Sequence, residues 1–313
     1  MRVFYDLDLI EGIPYPVITT GSFDGVHIGH KAIIRRINRL ARELGGESVL
    51  ITFHPHPRKV LYPETSGKDL YLINSQHEKI ELFRKTGLDN LIILTFTKEF
   101  SQITSIDFVR SILVQRLHAR KIVIGFNHQF GFNREGNYEY LNELGKYYGF
   151  EVEEIPEQDI HNETVSSTLI RAALQDGRIQ RANAYLDHHY FILGQLHEGS
   201  PDLVRQNITS FSLSIEEECK LIPPDGVYAV RIESGKISCK GILNIKNSRY
   251  GSERTAGEIL IEFIPFDPEV FSPGQEAMLF FVKRVRDEFE FHDRAGLINQ
   301  LEKDQTLVDE LIY

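Results

Sequence analysis

The sequence is poor in sulfur and contains no tryptophan: two cysteines, Cys219 and Cys239, and two methionines occur in 313 residues. Two cysteines cannot build a disulfide framework, so we expect a reducing environment. Long apolar runs are also missing, and none approaches the roughly 20 residues that a membrane helix needs. The first residues, MRVFYDLDLIEG, lack the apolar centre of a signal peptide. These absences predict a cytoplasmic protein without a membrane partner.

Positive charge is in deficit as well. The chain has 35 lysines and arginines against 45 aspartates and glutamates, a net charge of −10. This balance argues against broad nucleic-acid binding, because a nucleic-acid surface needs clustered basic side chains. An anionic ligand must therefore be held by local backbone dipoles and a few chosen cations.

Strand and helix signals alternate along residues 1–186. Short apolar stretches such as PVITTG, SVLITF, NLIILTF and KIVIGF predict strands, and amphipathic segments between them predict helices. One helix is marked at both ends, by Ser75 and Glu78 in capping-box spacing and by Gly87. The alternation predicts a doubly wound parallel sheet of the Rossmann-like α/β class as a first domain, residues 1–186.

The pattern changes after about Asp187. Strand-like segments from YFILGQL to MLFFVKRV follow one another without intervening helices, and ESGK at 233–236 predicts a hairpin turn. A helical segment, RAGLINQLEKDQTLVDELI, ends the chain. We predict a second domain, residues 187–313, built as an antiparallel β-barrel with a terminal helix.

The stretch GSFDGVHIGH joins a predicted strand to a predicted helix. Gly21 and Gly25 permit a tight turn with exposed backbone N–H groups. His27 and His30 are three residues apart, so both can reach one ligand, and the helix N-terminus adds its positive dipole end. This set suits a polyphosphate, with imidazole donors stabilising developing charge. A histidine pair can also bind a metal ion, but no third candidate ligand lies at a spacing that indicates a metal site. Whether any residues bind a metal ion therefore stays open.

GSFDGVHIGH resembles the H-x-G-H signature of the nucleotidylyltransferase superfamily. A second segment, VSSTLIRAAL at 165–174, resembles the S-S-T-x-I-R element of the same superfamily. Its hydroxyl side chains can cap a helix, and Arg171 can place its forked guanidinium on the β- and γ-phosphates of the departing diphosphate. The resemblance implies a catalytic set of His27, His30 and Arg171. It implies an ATP-binding set of Gly21, Phe23, Asp24, Gly29, Ser166, Ser167 and Thr168. For Asp24, a turn-stabilising contact is an equal alternative to a role through bound magnesium.

The segments between these motifs are similar in order to the FAD synthetase module of bacterial bifunctional riboflavin kinase/FAD synthetases. They are ITFHPHPRKVL, LINSQHEKIELF, FTKEFSQITSIDFV and IVIGFNHQFGFNREGN. The resemblance implies transfer of AMP from ATP to FMN with Mg²⁺, giving FAD and diphosphate. It implies a weaker set of FMN contacts, His56, Asn127, Phe130 and Phe132. For Phe130 and Phe132, core packing is the alternative, and for His56 it is a rigid proline turn.

The second half resembles the riboflavin kinase barrel of the same family. PPDGVYAVRI, GEILIEFI, VRDEFEF and LINQLEKD match its segments in order, and the resemblance places the catalytic base on Glu258. For Glu258, a solvent-facing glutamate at the start of a strand is an equal alternative. The family's G-R pair and G-F-P-T-A-N loop fall on Leu203-Val204 and on NITSFS at 207–212, which retain only the hydroxyls of Thr209 and Ser210. We therefore expect a degenerate kinase half.

Three hypotheses follow. The first is an FMN adenylyltransferase with a weakened kinase domain, with ATP and FMN as its partners. The second is a fully bifunctional enzyme that also phosphorylates riboflavin through a divergent loop. The third makes the C-terminal half a non-catalytic flavin- or nucleotide-binding module. The oligomeric state stays open.

Overall fold

The computed structural model describes residues 1–126, 128–160, 163–246, 259–288 and 294–312. The chain divides into two compact units. The first contains residues 1–70 and 79–166, and the second contains residues 71–78 and 167–313. The second unit thus includes a short segment from the N-terminal half as well as two helices that precede residue 187. The boundary at 186/187 stays a prediction.

A parallel sheet forms the centre of the first unit, as predicted. Among the described residues its order is β1-β4-β3-β2-β5-β6, and every paired neighbour runs parallel. The six strands are β1 Arg2–Phe4, β2 Val17–Thr20, β3 Ser48–His54, β4 Asn90–Thr95, β5 Lys121–Gly125 and β6 Glu151–Ile155. A two-stranded ribbon follows, β7 Asp159–Ile160 with β8 Glu163–Thr164. The parallel order confirms the doubly wound α/β class for this half.

Helices connect the strands of this sheet. The bounds are α1 Ile28–Glu43, α2 Pro57–Leu61, α3 Gln76–Arg84, α4 Ser105–Asp107 and α5 Tyr138–Tyr148. Helix α1 packs on β2, β3 and β5 and buries Ile34, Ile37 and Leu40. It ends at Glu43, and Gly45 follows its last turn with φ +64°. The predicted capping box of α3 is confirmed, because Ser75 N donates to Glu78 Oε2 and Glu78 N donates to Ser75 Oγ.

One predicted helix has a different form. The segment around Phe108 continues from α4 as a π-helix, Phe108–Arg116. Phe108, Val109, Ile112 and Leu113 are buried as expected and share a core cluster with the central strands. The spacing of these apolar residues indicates which side of the helix is buried, but it does not distinguish hydrogen bonds to residue i−5 from those to i−4.

The second unit contains the predicted barrel. Six strands of the described part of the chain close in the order β10-β13-β12-β11-β14-β9, and each pair is antiparallel. Ser234 pairs with Ile237 across the predicted hairpin turn. The strands are β9 Phe191–Glu198, β10 Phe211–Ser214, β11 Gly226–Ser234, β12 Ile237–Lys246, β13 Leu260–Pro265 and β14 Glu276–Arg286.

Four helices of the described residues belong to the second unit. They are α6 Ser167–Gln175, α7 Ile179–Leu186, α8 Pro201–Arg205 and α9 Arg294–Leu311. The terminal helix α9 confirms the predicted element, and it buries Val308 in a cluster with Val227 and Ile242 of the barrel. Arg286 of β14 binds the carboxylate of Asp304 on α9 through two nitrogen atoms. The segments VRDEFEF and LINQLEKD therefore meet in an ion pair between Arg286 and Asp304.

A buried ion pair ties segment 71–78 to the barrel strands of the same unit. Glu78 is fully buried and Lys220 is 1% exposed by side chain. The Lys220 Nζ atom lies 2.5 Å from Glu78 Oε2 and donates to the carbonyl oxygens of Ile73 and Phe191. Leu193 N donates to Glu78 Oε1. The capping glutamate of α3 is therefore also an acceptor for β9, which explains why segment 71–78 clusters with the second unit.

Candidate active site

The turn between β2 and α1 is wound tightly by left-handed backbone. Phe23 and Val26 have φ values of +50° and +42°, and Gly25 has φ +92°. Glycine adopts such values readily, whereas phenylalanine and valine do so only with strain, so Phe23 and Val26 must be held by their surroundings. The turn begins where Gly21 N donates to Ile51 O, and Thr52 Oγ1 of β3 donates to Ser22 O at 3.2 Å. Strand β3 thus supports the predicted nucleotide-binding turn.

His27 and His30 stand together at the start of α1. His27 is the N-cap residue of the helix and is 7% exposed. The two imidazole rings stack with centroids 3.6 Å apart and planes inclined by 21°. Phe23 sets its ring edge-on against His30 at 4.9 Å. The structure therefore brings both predicted histidines together at the N-terminus of α1, as the three-residue spacing suggested.

Both histidines are held in the neutral form. Burial lowers the pKa of His27 to about 4. Burial, the His27 ring and the Lys79 ammonium group together lower the pKa of His30 well below its ordinary value. The Nδ1 atoms of both rings are buried and make no hydrogen bond to any described residue. Each neutral ring has one N–H donor and one acceptor nitrogen, so each can offer one N–H group to a ligand at neutral pH.

Gly29 makes room for the first histidine. A Cβ atom on Gly29 would lie 3.3 Å from the Cε1 and Nδ1 atoms of His27, closer than most such contacts allow. The ring of His27 thus folds back along the first turn of α1, whose free N–H groups and positive dipole end attract an anion. The combination of helix N-terminus and two N–H donors can stabilise negative charge on a transferring phosphoryl group.

Lys79 and Phe83 complete the support of this turn, and the sequence did not single out either residue. Lys79 of α3 is 7% exposed, and its Nζ atom donates to Ser22 O at 3.2 Å and to Thr52 Oγ1 at 3.3 Å. Phe83 places its ring perpendicular to that of Phe23, 6.0 Å away. The one available signal was that Lys79 lies one helical turn before the apolar residues Leu82 and Phe83.

Asp24 lies buried within the turn, 4% exposed. Gly21 is close to the Phe23 ring, since a Cβ atom there would approach the ring carbons to 3.1 Å. These residues belong to the same turn as the histidines, as predicted. Their contact with a nucleotide stays a prediction.

The second motif lies at the start of α6. This helix begins at Ser167, immediately after Ser166, and Arg171 is half-buried one turn further along. Ser166 and Thr168 are exposed. The predicted helix start is confirmed. Helix α6 belongs to the second compact unit. The diphosphate-binding role of Ser166, Ser167, Thr168 and Arg171 stays a prediction.

The predicted flavin contacts have local structural roles. His56 is the N-cap residue of α2, and its Nδ1 atom accepts a hydrogen bond from Arg58 N. Phe130 packs against the core cluster of the sheet and lies 6.1 Å from the Phe108 ring. Phe132 is half-buried and its N–H group donates to Ile103 O. Asn127 lies outside the described residues. Contact of these residues with FMN stays a prediction.

In the barrel, the predicted base Glu258 lies outside the described residues. A second glutamate of the same segment, Glu262 on β13, is 6% exposed. Its Oε1 atom accepts hydrogen bonds from Ser200 N at 2.6 Å and from Ser210 Oγ at 2.8 Å. The stretch SPDLVRQN between these serines forms the short helix α8 rather than an open loop.

In the described ranges, no group of three or more histidine, cysteine, aspartate or glutamate side chains is arranged to hold a metal ion. Of the helices that the structure describes, none is long and apolar enough to cross a membrane.

A parallel α/β unit with a histidine pair at a helix N-terminus, together with a closed barrel, defines a two-part nucleotidyltransferase. Comparison with known proteins agrees. The family model described as FAD synthetase matches residues 13–169, and the model described as riboflavin kinase matches residues 186–312. The chain belongs to the bifunctional riboflavin kinase/FMN adenylyltransferase family and is a nucleotidyltransferase of the FMN adenylyltransferase type.

Relatives match along most of the chain. Bifunctional riboflavin kinase/FMN adenylyltransferases from Listeria monocytogenes and Bacillus subtilis are each 31% identical, over 92% of this chain and 90% of the relative. A solved structure from Streptococcus pneumoniae, described as a macrolide-efflux protein, has a TM-score of 0.84 at 25% identity and covers 98% of both chains. Both halves of the fold therefore occur together in other chains.

Proposed function

We propose that the protein transfers AMP from ATP to FMN, giving FAD and diphosphate. The observation that carries this proposal is the neutral, stacked pair of His27 and His30 at the N-terminus of α1. That pair lies within the residues that the FAD synthetase family model matches. The family assignment supplies the substrate class, and the site supplies a place where phosphoryl charge can be stabilised.

In this reaction a phosphate oxygen of FMN attacks the α-phosphorus of ATP. A new P–O bond forms, the bond between the α-phosphorus and the bridging oxygen breaks, and diphosphate leaves with the electron pair. No protein nucleophile is needed, so positioning and charge stabilisation account for catalysis. The N–H groups of His27 and His30 and the N-terminus of α1 stabilise the charge that builds on the transferring group.

Mg²⁺ enters this proposal as part of the substrate MgATP. Magnesium commonly keeps several waters and binds through substrate phosphates with one or two carboxylates. Asp24 is the carboxylate of the turn that fits such a role, and when bound the ion would neutralise phosphate charge. In our proposal, Arg171 with the hydroxyls of Ser166, Ser167 and Thr168 holds the leaving diphosphate, because a guanidinium can bind two phosphate oxygens at once.

For the C-terminal half we propose a riboflavin kinase fold with weakened phosphoryl transfer. Ser200 and Ser210 both donate to Glu262, so donors of this loop are engaged within the barrel. A second candidate is a fully bifunctional enzyme, and the riboflavin kinase family model over residues 186–312 favours it. The third hypothesis, a flavin- or nucleotide-binding module without catalysis, predicts binding of riboflavin without turnover.

One experiment tests these alternatives together. The full chain is incubated with FMN plus MgATP, and separately with riboflavin plus MgATP, and the flavins are separated by chromatography. The proposal expects FAD from FMN and little FMN from riboflavin. Absence of FAD with any divalent cation would contradict the main proposal, and robust FMN formation from riboflavin would establish the bifunctional alternative.

A further inference from the structure

A buried lysine underlies the turn that precedes the catalytic helix. Lys79 comes from α3, is 7% exposed, and directs its Nζ atom to Ser22 O at 3.2 Å. Thr52 Oγ1 donates to the same carbonyl oxygen and accepts from Lys79 at 3.3 Å. Lys79, Thr52 and Ser22 thus form a closed triangle of hydrogen bonds. This triangle fixes the backbone at Ser22, immediately before Phe23, the first residue of the strained stretch that leads into His27.

Lys79 brings both a hydrogen-bond donor and a charge to this turn. Burying an ammonium group carries a large desolvation penalty, whereas a neutral donor could make the same hydrogen bond at lower cost. What a lysine adds is a fixed positive charge. That charge acts on His30, because the Lys79 ammonium group is one of the causes that lower the pKa of the His30 ring.

The groups around His30 are identified by the same contacts. His27 stacks on its ring from the N-cap of α1, and Phe23 contacts it from the turn. The charge of Lys79, on α3, also acts on the ring. The turn also carries the buried carboxylate of Asp24. A cation beside two imidazoles favours their neutral forms, each of which keeps one N–H donor, and adds positive charge to the turn.

We infer that Lys79 is a positioning residue of the nucleotide site, which pins the Ser22 carbonyl and supplies a fixed positive charge beside His30 for the triphosphate of ATP. The inference deepens the proposed function and rests on it for the identity of the anion. Lys79 acts through the turn and through His30 rather than on the reacting atoms, so its loss should alter ATP use and the titration of His30 together.

The test uses two variants of the full chain. Lys79→Met removes both the charge and the donor, whereas Lys79→Gln removes the charge and retains an N–H donor for Ser22 O. Lys98→Met, at an exposed position, is the matched control. Three quantities are measured: kcat and KM for ATP in FAD synthesis, the pKa of His30 by NMR without substrates, and folding by circular dichroism.

We expect Lys79→Met to lower kcat/KM for ATP by roughly 10²-fold, the scale of losing a preorganised electrostatic contact. The pKa of His30 should rise in both variants because a neighbouring cation is gone, yet it should stay below the ordinary histidine value because burial remains. Lys79→Gln should show the same direction of titration shift with a smaller loss of activity. Lys98→Met should behave as wild type.

Wild-type ATP parameters and an unchanged His30 titration in Lys79→Met would overturn the inference. Full recovery of both by Lys79→Gln would assign Lys79 a structural hydrogen bond alone, and would also overturn it. If Lys79→Met fails to fold, the same readouts on Lys79→Gln decide. A wild-type protein that makes no FAD would refute the proposed function, while the NMR titration, which needs no turnover, would still test the charge at Lys79.

Discussion

The turn before α1 and the loop after β9 both carry residues that the family resemblance assigns to nucleotide handling, yet their hydrogen bonds are arranged in opposite ways. In the turn, the Nδ1 atoms of His27 and His30 are buried and without a hydrogen-bonding partner among the described residues. In the loop, Ser200 N and Ser210 Oγ both donate to the buried Glu262. Open donors suit a ligand, whereas donors satisfied within the chain stabilise the fold itself.

The same contrast appears in what supports each region. In the turn, Phe23 and Val26 adopt strained left-handed φ values. Lys79 and Thr52 fix the carbonyl oxygen of Ser22 in the same turn. The loop instead winds into α8, capped by the Ser200 hydroxyl. A strained, externally braced turn is typical of a functional site, and a capped helix is typical of scaffold.

The largest expected effect is at His30. In His30→Ala, turnover of FMN and ATP to FAD should fall by roughly 10²–10³-fold, the usual cost of losing one transition-state donor. The measurement is kcat for FAD formation, with His118→Asn as control. His118 is exposed and has φ +54°, a value that asparagine tolerates. Normal turnover in His30→Ala would remove His30 from the mechanism.

The pKa of His27 predicts an acid-dependent loss of stability. The folded pKa of about 4 lies below the unfolded value of 6.5, so the unfolded chain binds more protons between these values. The stabilisation is therefore present above about pH 6.5 and is lost as the pH falls toward 4. From about pH 7.5 to about pH 5, wild type should lose about 2 kcal/mol more than His27→Asn.

Urea unfolding of both proteins at the two pH values provides this measurement. Asparagine is chosen because it is a good N-cap residue and does not titrate. Equal pH dependence in the two proteins would show that His27 titrates normally in the folded chain, and the neutral imidazole that the proposed mechanism requires would then lose its physical basis.

Glu262 provides a test of the loop after β9. In Glu262→Gln the charged acceptor for Ser200 N and Ser210 Oγ becomes a neutral amide, so unfolding of the barrel should become easier by about 1–2 kcal/mol. FAD synthesis from FMN should be unchanged. The measurements are thermal unfolding and the FMN assay. If Glu262→Gln melts at the same temperature as wild type, this carboxylate does not stabilise the loop.

Arg171→Lys should produce a smaller change, roughly tenfold in kcat/KM for ATP. Lysine retains the charge but loses the two-pronged contact with phosphate oxygens. The KM values for ATP and FMN, measured separately, distinguish the alternatives. Weaker FMN binding with unchanged ATP parameters would assign Arg171 to the other substrate.

Glu258→Gln should have the smallest effect on FAD synthesis, and we expect none when FMN is supplied. A riboflavin-to-FMN assay on the same pair of proteins tests the kinase half. If wild type makes FMN robustly and Glu258→Gln does not, the barrel is a working kinase with an unrecognised nucleotide loop.

Local signals predicted much of the fold. The central parallel strands, the capping box of Ser75 and Glu78, the hairpin at 233–236 and the terminal helix are all confirmed. Strand β1 and the helices α2, α7 and α8 were not predicted, because short elements carry little periodicity. The π-helix of 108–116 was missed in type, since its hydrogen-bond pattern leaves no mark on apolar spacing.

The amino-acid sequence by itself determined the order of the α/β unit and the barrel, and the spacing that lets His27 and His30 reach one ligand. Both follow from local properties, namely strand and helix alternation, helix periodicity and turn glycines. Only the tertiary structure decided the chemistry of that pair. Burial sets the pKa of His27, the stacking of two rings depends on Gly29 and Phe23, and a positive charge arrives with Lys79 from another helix. Likewise, Glu78 and Lys220 form a buried pair across a long stretch of chain. Desolvation and charge proximity are properties of three-dimensional packing, and neither is encoded in the spacing of neighbouring residues.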